Sequence, residues 1–226
     1  MGLRMTSIAP YWVPCPLCRM EFEQLVLEST SSHAPPDLDT RPAPLARTAF
    51  VYDAAECPRC GLIFLPRPDY ATEFVKDTAQ LRELLVSDAY LDCSGLSEAA
   101  IRFRKAALIA EHFGAHGDAG WALLRAAWLC DDELAEDAAV TARLDAVEQL
   151  RAAIRCGQKV MDPDSAAGLL LADLLRRAGH FDDALAECDG AASAIQDDAL
   201  AAIIGQERSL IIKHDRAAHQ ANSASK

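Results

Sequence analysis

The sequence predicts a mostly α-helical protein in which a small β module is followed by an α–α helical array. Ten of the eleven prolines lie in residues 1–68, together with two Cys-x-x-Cys pairs and short strand-like apolar runs. From Asp69 onward only Pro163 remains, and apolar residues recur at the spacing of amphipathic helices. Because proline breaks helix interiors, the helical part is expected to begin where the prolines end.

The N-terminal module, residues 1–68, is predicted to contain a small sheet. Its short apolar runs at residues 21–27, 48–52 and 62–65 are typical of strands. Residues 29–47 are rich in serine, proline and aspartate, which favours turns and irregular backbone. This segment is therefore predicted to be an irregular excursion from the sheet.

Each Cys-x-x-Cys pair has the form of a metal-binding knuckle. A proline follows the first cysteine of each pair, and Gly61 follows the second pair, where it permits a left-handed backbone. Zn²⁺ takes four soft ligands in a tetrahedron, and two thiolates separated by two residues can reach one ion from a tight turn. The sequence therefore predicts a zinc-ribbon-like module with one Zn²⁺ bound by Cys15, Cys18, Cys57 and Cys60. Four thiolates close the coordination sphere, which favours a structural site over a hydrolytic one.

Two other interpretations of the cysteines are open. A single Cys-x-x-Cys pair is also a redox motif, although thioredoxin-type pairs begin a helix after a parallel strand and neither pair has that context. His33, in the 38-residue loop between the pairs, is an alternative zinc ligand. A loop histidine beside prolines is more typical of a solvated side chain.

The second module, residues 69–216, is predicted to be a helical domain. The predicted helices span residues 69–91, 97–113, 118–130, 133–157, 163–178, 181–195 and 198–220. The small, polar tail at 217–226 is expected to be flexible. Two tryptophans seven residues apart, Trp121 and Trp128, are predicted to pack between helices, and the acidic run at 131–137 is predicted to cap the following helix.

Residues 168–191 resemble a tetratricopeptide repeat, with Gly179 in the turn between two helices. The resemblance implies that the first helix of the unit lines a concave groove for a partner. The groove residues would then be Leu169, Asp173 and Arg176. The spacing of Asp173 and Arg176 is also that of an i,i+3 ion pair on a solvated helix face.

The order of motifs resembles a bacterial family of uncharacterised function that has two Cys-x-x-Cys knuckles followed by tetratricopeptide-like helices. The motifs are CPLC, a Pro- and Asp-rich excursion, CPRCG, and helices that contain LLRAAWL and RRAGHFDDAL. The resemblance covers about residues 11–215. It implies zinc and a helical scaffold, and it brings no catalytic residues.

The charge distribution argues against nucleic acid as a partner. The net charge is −12, of which residues 69–226 carry −11, and a phosphate backbone requires clustered lysine and arginine. No stretch is long and apolar enough to span a bilayer, and no signal-peptide pattern precedes the first knuckle. The expected compartment is the cytoplasm.

The function predicted from these features is that of a non-enzymatic zinc-binding scaffold or adaptor. Helical repeats build extended surfaces, so the expected partner is a protein, a peptide or a second copy of the chain bound on the helical surface. One alternative is a redox-active or other enzyme that uses a Cys-x-x-Cys pair, although the sequence contains no catalytic motif. The other alternative is a nucleic-acid-binding zinc ribbon, which would bind DNA or RNA in a salt-sensitive manner.

Overall fold

The computed structural model describes residues 6–30, 34–44, 46–47, 49–66, 75, 77–92, 96–194 and 197–222. Small antiparallel strand pairs lie in the N-terminal part, and a helical array follows them, which confirms the predicted fold class. The predicted boundary at residues 68 and 69 lies outside the described residues. Within the described ranges, no helix is both long enough and apolar enough to cross a membrane.

Two β-hairpins and one short 3₁₀ helix form the N-terminal part. β1 (Ser7–Pro14) pairs with β2 (Glu21–Ser29), and β3 (Ala55–Glu56) pairs with β4 (Ile63–Phe64), both antiparallel. The turn of each hairpin contains one Cys-x-x-Cys pair, so the two cysteine knuckles are the tips of two hairpins.

Eight α-helices lie in the described part of the chain, and from the helix Glu98–His112 onward each packs against the next. A short 3₁₀ helix, Asp164–Ala166, precedes the helix that begins at Ala167. The α-helices are α1 (Thr78–Leu85), α2 (Asp88–Leu91), α3 (Glu98–His112), α4 (His116–Asp132), α5 (Glu136–Arg155), α6 (Ala167–Arg177), α7 (Phe181–Ala194) and α8 (Asp198–Ile212).

The helix predicted at 69–91 is divided, in its described part, into α1 and α2. Ser87 causes the division, because its hydroxyl oxygen accepts a hydrogen bond from the backbone N–H of Tyr90 and so caps a new helix. Asp77 caps α1 in the same way, through Ala79 and Gln80. Ser87 therefore marks a helix boundary that the apolar periodicity of the sequence did not predict.

The chain after α8 is ordered by long-range hydrogen bonds rather than continuing as a helix to residue 220. The backbone N–H of Leu38 donates to the carbonyl of His219 at 2.9 Å, and that of Ala221 donates to the carbonyl of Pro36 at 2.9 Å. Asp37 and Gln220 form an isolated antiparallel bridge between them. The tail that was predicted to be flexible thus contacts the excursion at residues 219–221, and its flexibility stays a prediction.

Five helices end in the same left-handed turn. In each, a backbone N–H bonds to the carbonyl five residues earlier, as in Ala115 to Ala110 and Asp215 to Leu210, which satisfies carbonyls at the helix end. The positive-φ residues of these turns are Gly114, Leu134, Gly157, Gly179 and His214. Leu134 and His214 are the two members that are not glycine, with φ of 58° and 55°, and Leu134 is 91% exposed.

We expect Leu134→Gly to stabilise the protein. A non-glycine residue in the left-handed region costs roughly 1 kcal/mol, and this leucine gains little from packing. The free energy of unfolding in urea should therefore rise by about 1 kcal/mol, or about 2–4 °C in Tm. Leu134→Ala is the control, since it removes the exposed leucine but keeps the Cβ; an equal gain in both variants would contradict the backbone explanation.

One glycine is required by close helix packing. A Cβ at Gly120 in α4 would lie 2.6 Å from side-chain carbons of Leu150 in α5. Such a distance is a steric clash, so these two helices reach their spacing only because position 120 has no side chain. Gly120 therefore brings α5 close enough to bury Leu150 completely.

A single hydrophobic core runs from the hairpins into the helices. The rings of Phe22 and Phe64 meet edge to face at 6.2 Å between the two hairpins. Phe50 lies 5.4 Å from Trp128 and 5.6 Å from Phe103, measured between ring centroids. The strand predicted at 48–52 is, in its described part, a 3₁₀ helix (Ala49–Asp53), because this contact with the helices overrides local β propensity.

The predicted excursion packs against the helices through buried charges. Asp39, 1% exposed, accepts hydrogen bonds from Trp128 Nε1 at 2.8 Å and Arg177 Nη1 at 2.6 Å. Arg41 reaches Asp132 at 2.6 Å. Trp121 and Trp128 pack in or against the core, as the sequence predicted.

The prediction that the acidic run caps α5 is wrong in part. Asp131 and Asp132 belong to the last turn of α4, and no side chain caps the N-terminus of α5. Asp131 instead bonds to Arg143 and to Arg177, the latter at 2.6 Å. These aspartates therefore join helices and the excursion rather than capping one helix.

Candidate metal centre

The two knuckles have the same backbone structure. In each hairpin, the N–H of the first cysteine donates to the carbonyl five residues later, from Cys15 to Met20 at 2.8 Å and from Cys57 to Leu62 at 2.9 Å. Gly61 has φ 69°, as the sequence predicted. The equivalent position in the first knuckle is Arg19, with φ 61°, so the same turn is built there without glycine.

The structure brings the four predicted cysteines together. Their sulfur atoms all lie within 4.8 Å of one another. The short contacts cross between knuckles, at 3.7 Å for Cys15–Cys60 and 3.5 Å for Cys18–Cys57. Disulfide sulfurs lie about 2.05 Å apart, so these are four thiols that converge on one point. Such a cluster could bind one metal ion.

The surroundings of the sulfurs set different proton affinities. Burial raises the pKa of the Cys15 and Cys60 thiols, and neighbouring thiols raise it further. Burial raises the pKa of Cys18 as well, but hydrogen bonds from the backbone N–H of Met20 and from the other thiols outweigh burial and lower this pKa to about 7. A metal ion that binds here must displace the protons of the remaining thiols, since thiolates are the ligands.

The second knuckle is fixed to the helical array by Tyr90 in α2. Its hydroxyl donates to the carbonyl of Gly61 at 2.8 Å and accepts from the N–H of Ile63 at 3.2 Å. The tyrosine is 1% exposed, and Lys105 Nζ of α3 lies 4.9 Å from its ring centroid. Sequence reasoning did not identify Tyr90, because nothing in its spacing distinguishes it from a core aromatic.

The cluster has a buried side and an accessible side. Cys15 and Cys57 are buried, whereas Cys18 and Cys60 are half-buried and border a surface depression of about 250 Å³. The remaining side chains of the depression are Leu17, Arg59, Arg82, Leu85 and Val86. His33, the alternative ligand, lies outside the described residues.

The three residues predicted to line a partner groove are buried within the chain. Leu169, Asp173 and Arg176 are 7%, 1% and 0% exposed. Asp173 and Arg176 do form the i,i+3 ion pair, but α8 and the chain after it cover the pair, so the prediction of a solvated helix face is wrong. The described fold does not offer these side chains to a partner.

Arg176 holds the end of the array together. Its Nε donates to Glu207 Oε1 at 2.8 Å, its Nη2 donates to Asp173, and its Nη1 donates to the carbonyls of Asp215 and Ala217. One oxygen of each carboxylate, Asp173 Oδ2 and Glu207 Oε2, is buried without a hydrogen-bond partner in the described structure. Burial and the charge of Asp173 raise the pKa of Glu207 to about 8. The folded state therefore binds a proton at Glu207 more tightly than the unfolded state does.

We expect Glu207→Gln to remove a pH dependence of stability. The raised pKa means that the folded state keeps a proton which the unfolded state has released, so the stability of the wild type falls as pH rises from about 4.5 to about 8. Glutamine mimics the protonated acid, so the variant should lie within about 1 kcal/mol of wild type near pH 4.5 and become the more stable protein as the pH rises to 9. Urea unfolding at both pH values measures this.

The control for this prediction is Glu136→Gln, which changes a glutamate whose side chain is 74% exposed and paired with Arg216. That variant should follow the pH dependence of the wild type. If the free energy of unfolding of Glu207→Gln falls with pH as steeply as that of the wild type, then Glu207 is ionised in the folded protein at neutral pH.

The sequence was compared with known families, curated proteins and solved structures. No curated protein and no solved structure matches the chain. The tetratricopeptide likeness of residues 168–191 therefore stays a prediction. The family described as "Uncharacterized protein conserved in bacteria (DUF2225)" matches residues 11–210, which include both knuckles and all eight helices up to the last turn of α8. The chain belongs to this bacterial family, DUF2225.

Proposed function

We propose that this chain is a non-enzymatic scaffold whose N-terminal hairpins are held by one structural Zn²⁺ ion. The observation that supports the proposal is the convergence of four cysteine sulfurs from two equivalent hairpin tips. A tetrahedron of sulfurs at zinc–sulfur bonds of about 2.3 Å has edges of about 3.8 Å. The cross-knuckle distances of 3.5 and 3.7 Å are close to that value.

The donor set fits zinc and a structural role. Thiolates are soft ligands that favour zinc over magnesium or calcium, and Cys₄ sites are typical of structural zinc. When four protein ligands complete the sphere, no position is left for water or substrate. Zinc would supply the cross-link between two hairpins that bury little apolar surface of their own. Thiol ligands that must stay reduced fit a reducing compartment such as the bacterial cytoplasm.

The redox alternative is less well supported by the geometry. A dithiol enzyme uses the two cysteines of one Cys-x-x-Cys pair, whereas the sulfur contacts of 3.5 and 3.7 Å here join cysteines of different pairs. The raised pKa of Cys15 also disfavours a nucleophilic thiolate at the first position of its pair. These features favour a shared metal centre.

The experiment is a metal analysis of the protein purified without added metal. We expect one equivalent of zinc per chain, and replacement by Co²⁺ should give the thiolate-to-cobalt charge-transfer absorption of a tetrahedral Cys₄ site. Alkylation of free thiols under native conditions should spare Cys15, Cys18, Cys57 and Cys60 in the zinc-loaded protein and should reach the half-buried Cys18 and Cys60 once the metal is removed. Protein that contains no metal and has a reversible Cys15–Cys18 disulfide would instead support the redox function.

A further inference from the structure

The outer face of the β1–β2 hairpin is apolar and uncovered. Residues directly opposite each other in antiparallel strands share a face, so the pairs Ile8–Leu27 and Pro10–Leu25 lie on the same side as Trp12. We call these five residues the outer ribbon face. The other side of the hairpin carries Val13 and Phe22, which pack into the core.

The outer ribbon face is accessible to solvent. Trp12 is 71% exposed, Leu25 45% and Ile8 39%, while Pro10 is exposed and Leu27 is half-buried. Among the described residues, none of these five side chains belongs to the hydrophobic core or to the side chains that pack against it. Contiguous exposed apolar residues with a central tryptophan are typical of a binding surface.

A partner cannot readily add a third strand beside β1. Pro10 lies in the middle of β1 and Pro14 at its end, and neither has an N–H to donate. Prolines on an edge strand block backbone pairing with another chain. A partner on the β1 side would therefore contact side chains on the face, which suits a helix better than a strand.

The size and charge of the face argue against a second copy of this chain. A stable interface buries about 800 Å² and 20–30 residues on each partner, many more than five side chains. The net charge of −12 also opposes the approach of two copies. A short segment of another protein is a better match to a face of this area.

The acidic end of the face indicates the chemistry of that segment. Glu23 lies opposite Trp12, and Glu21 lies opposite Pro14, so both exposed carboxylates border the apolar residues on the same side. Carboxylates attract lysine or arginine, and an exposed indole also binds a cation on its face. We propose that the outer ribbon face docks an amphipathic helix of a partner protein, with apolar residues over Trp12 and Leu25 and a basic residue beside Glu21 and Glu23. This inference rests on the proposed scaffold function.

The test uses the full-length, zinc-loaded protein and a defined probe. The probe is a fluorescein-labelled amphipathic peptide of leucine and lysine, and its control is a peptide of the same composition in scrambled order. We expect the amphipathic peptide to bind at least tenfold more tightly, measured by anisotropy. Binding should also shift tryptophan emission to shorter wavelength, because Trp12 is far more exposed than Trp121 or Trp128.

Variants locate the binding surface. Trp12→Ser and Leu25→Ser should each weaken peptide binding about tenfold or more, as expected for a central anchor. Glu23→Gln should weaken it several-fold and reduce its salt dependence. Leu134→Ser is the matched control, since it changes an exposed leucine in the turn between α4 and α5 and should leave the affinity unchanged.

Three results would overturn the inference. They are equal binding of the scrambled peptide, unchanged affinity in Trp12→Ser and Leu25→Ser, and a wild-type dimer in sedimentation that Trp12→Ser converts to a monomer. The zinc content of every variant is measured in parallel. A zinc-loaded wild type that does not bind the peptide rejects the docking surface alone, whereas a wild type without zinc rejects the proposed function.

Discussion

Replacing Cys15 with serine should abolish metal binding and destabilise the whole protein. Cys15 is fully buried and belongs to the same hydrophobic core as the helices, so the loss of the metal cross-link reaches beyond the hairpins. Structural zinc contributes about 10–16 kcal/mol in small zinc-dependent folds, and we expect a loss of at least about 4 kcal/mol here. That corresponds to a decrease of roughly 10 °C in Tm for a chain of this size.

The control is Cys156→Ser, which removes an exposed cysteine outside the cluster. This variant should keep one equivalent of zinc and the wild-type Tm. Since Cys15→Ser could fail to accumulate, a chelator titration of wild type provides the same measurement, with recovery on addition of zinc. A Tm that is independent of both the chelator and Cys15 would mean that the metal does not stabilise the fold.

Asp39→Ala should destabilise the protein strongly, although Asp39 lies outside the cysteine cluster. The side chain of Asp39 is inaccessible to solvent and neutralises Arg177, whose side chain is 8% exposed. Removal of one partner of a buried ion pair costs about 3–5 kcal/mol, and the loss here should lie at the lower end because Arg177 keeps its bond to Asp131. The same substitution removes the acceptor of Trp128 Nε1. Urea unfolding should show a loss in this range.

An exposed ion pair provides the comparison. Asp189 and Arg208 bond to each other with side chains 48% and 49% exposed, so Asp189→Ala should cost less than about 1 kcal/mol. If Asp39→Ala lowers the free energy of unfolding by no more than this, the ion pair between Asp39 and Arg177 does not stabilise the packing of the excursion against the helices. Zinc content should remain at one equivalent in folded Asp39→Ala, because Asp39 is not part of the cysteine cluster.

The helices and the cysteine cluster could be predicted because their signals are local. Apolar periodicity and helix-ending residues such as Gly114 and Gly179 placed α3 to α7 within about four residues. The paired knuckles repeat the same six-residue hydrogen-bonded turn, and each turn is encoded by its own cysteines and proline. No distant residue is needed to recognise either feature.

The buried charges could not be predicted because their partners are distant in sequence. Asp39 and Arg177 are 138 residues apart, and each alone is typical of a solvated surface. The same applies to Arg176, which was placed on an exposed groove although Glu207 and the chain after α8 enclose it. The error at 48–52 has a related cause, since Phe50 takes its conformation from contacts with α3 and α4.

The hydrogen bonds between residues 36–38 and 219–221 constrain the order of events during synthesis on the ribosome. The proline-rich excursion emerges before the helices, yet its backbone partners are made only after α8. Until then Asp37 and its neighbours lack partners that the finished fold supplies, and such long-range contacts form slowly. The hairpins can capture a metal ion as soon as Cys60 has emerged, whereas the excursion can close only after α8. Metal capture would therefore precede final closure and hold the early part of the chain in a defined shape while the helices are still being added.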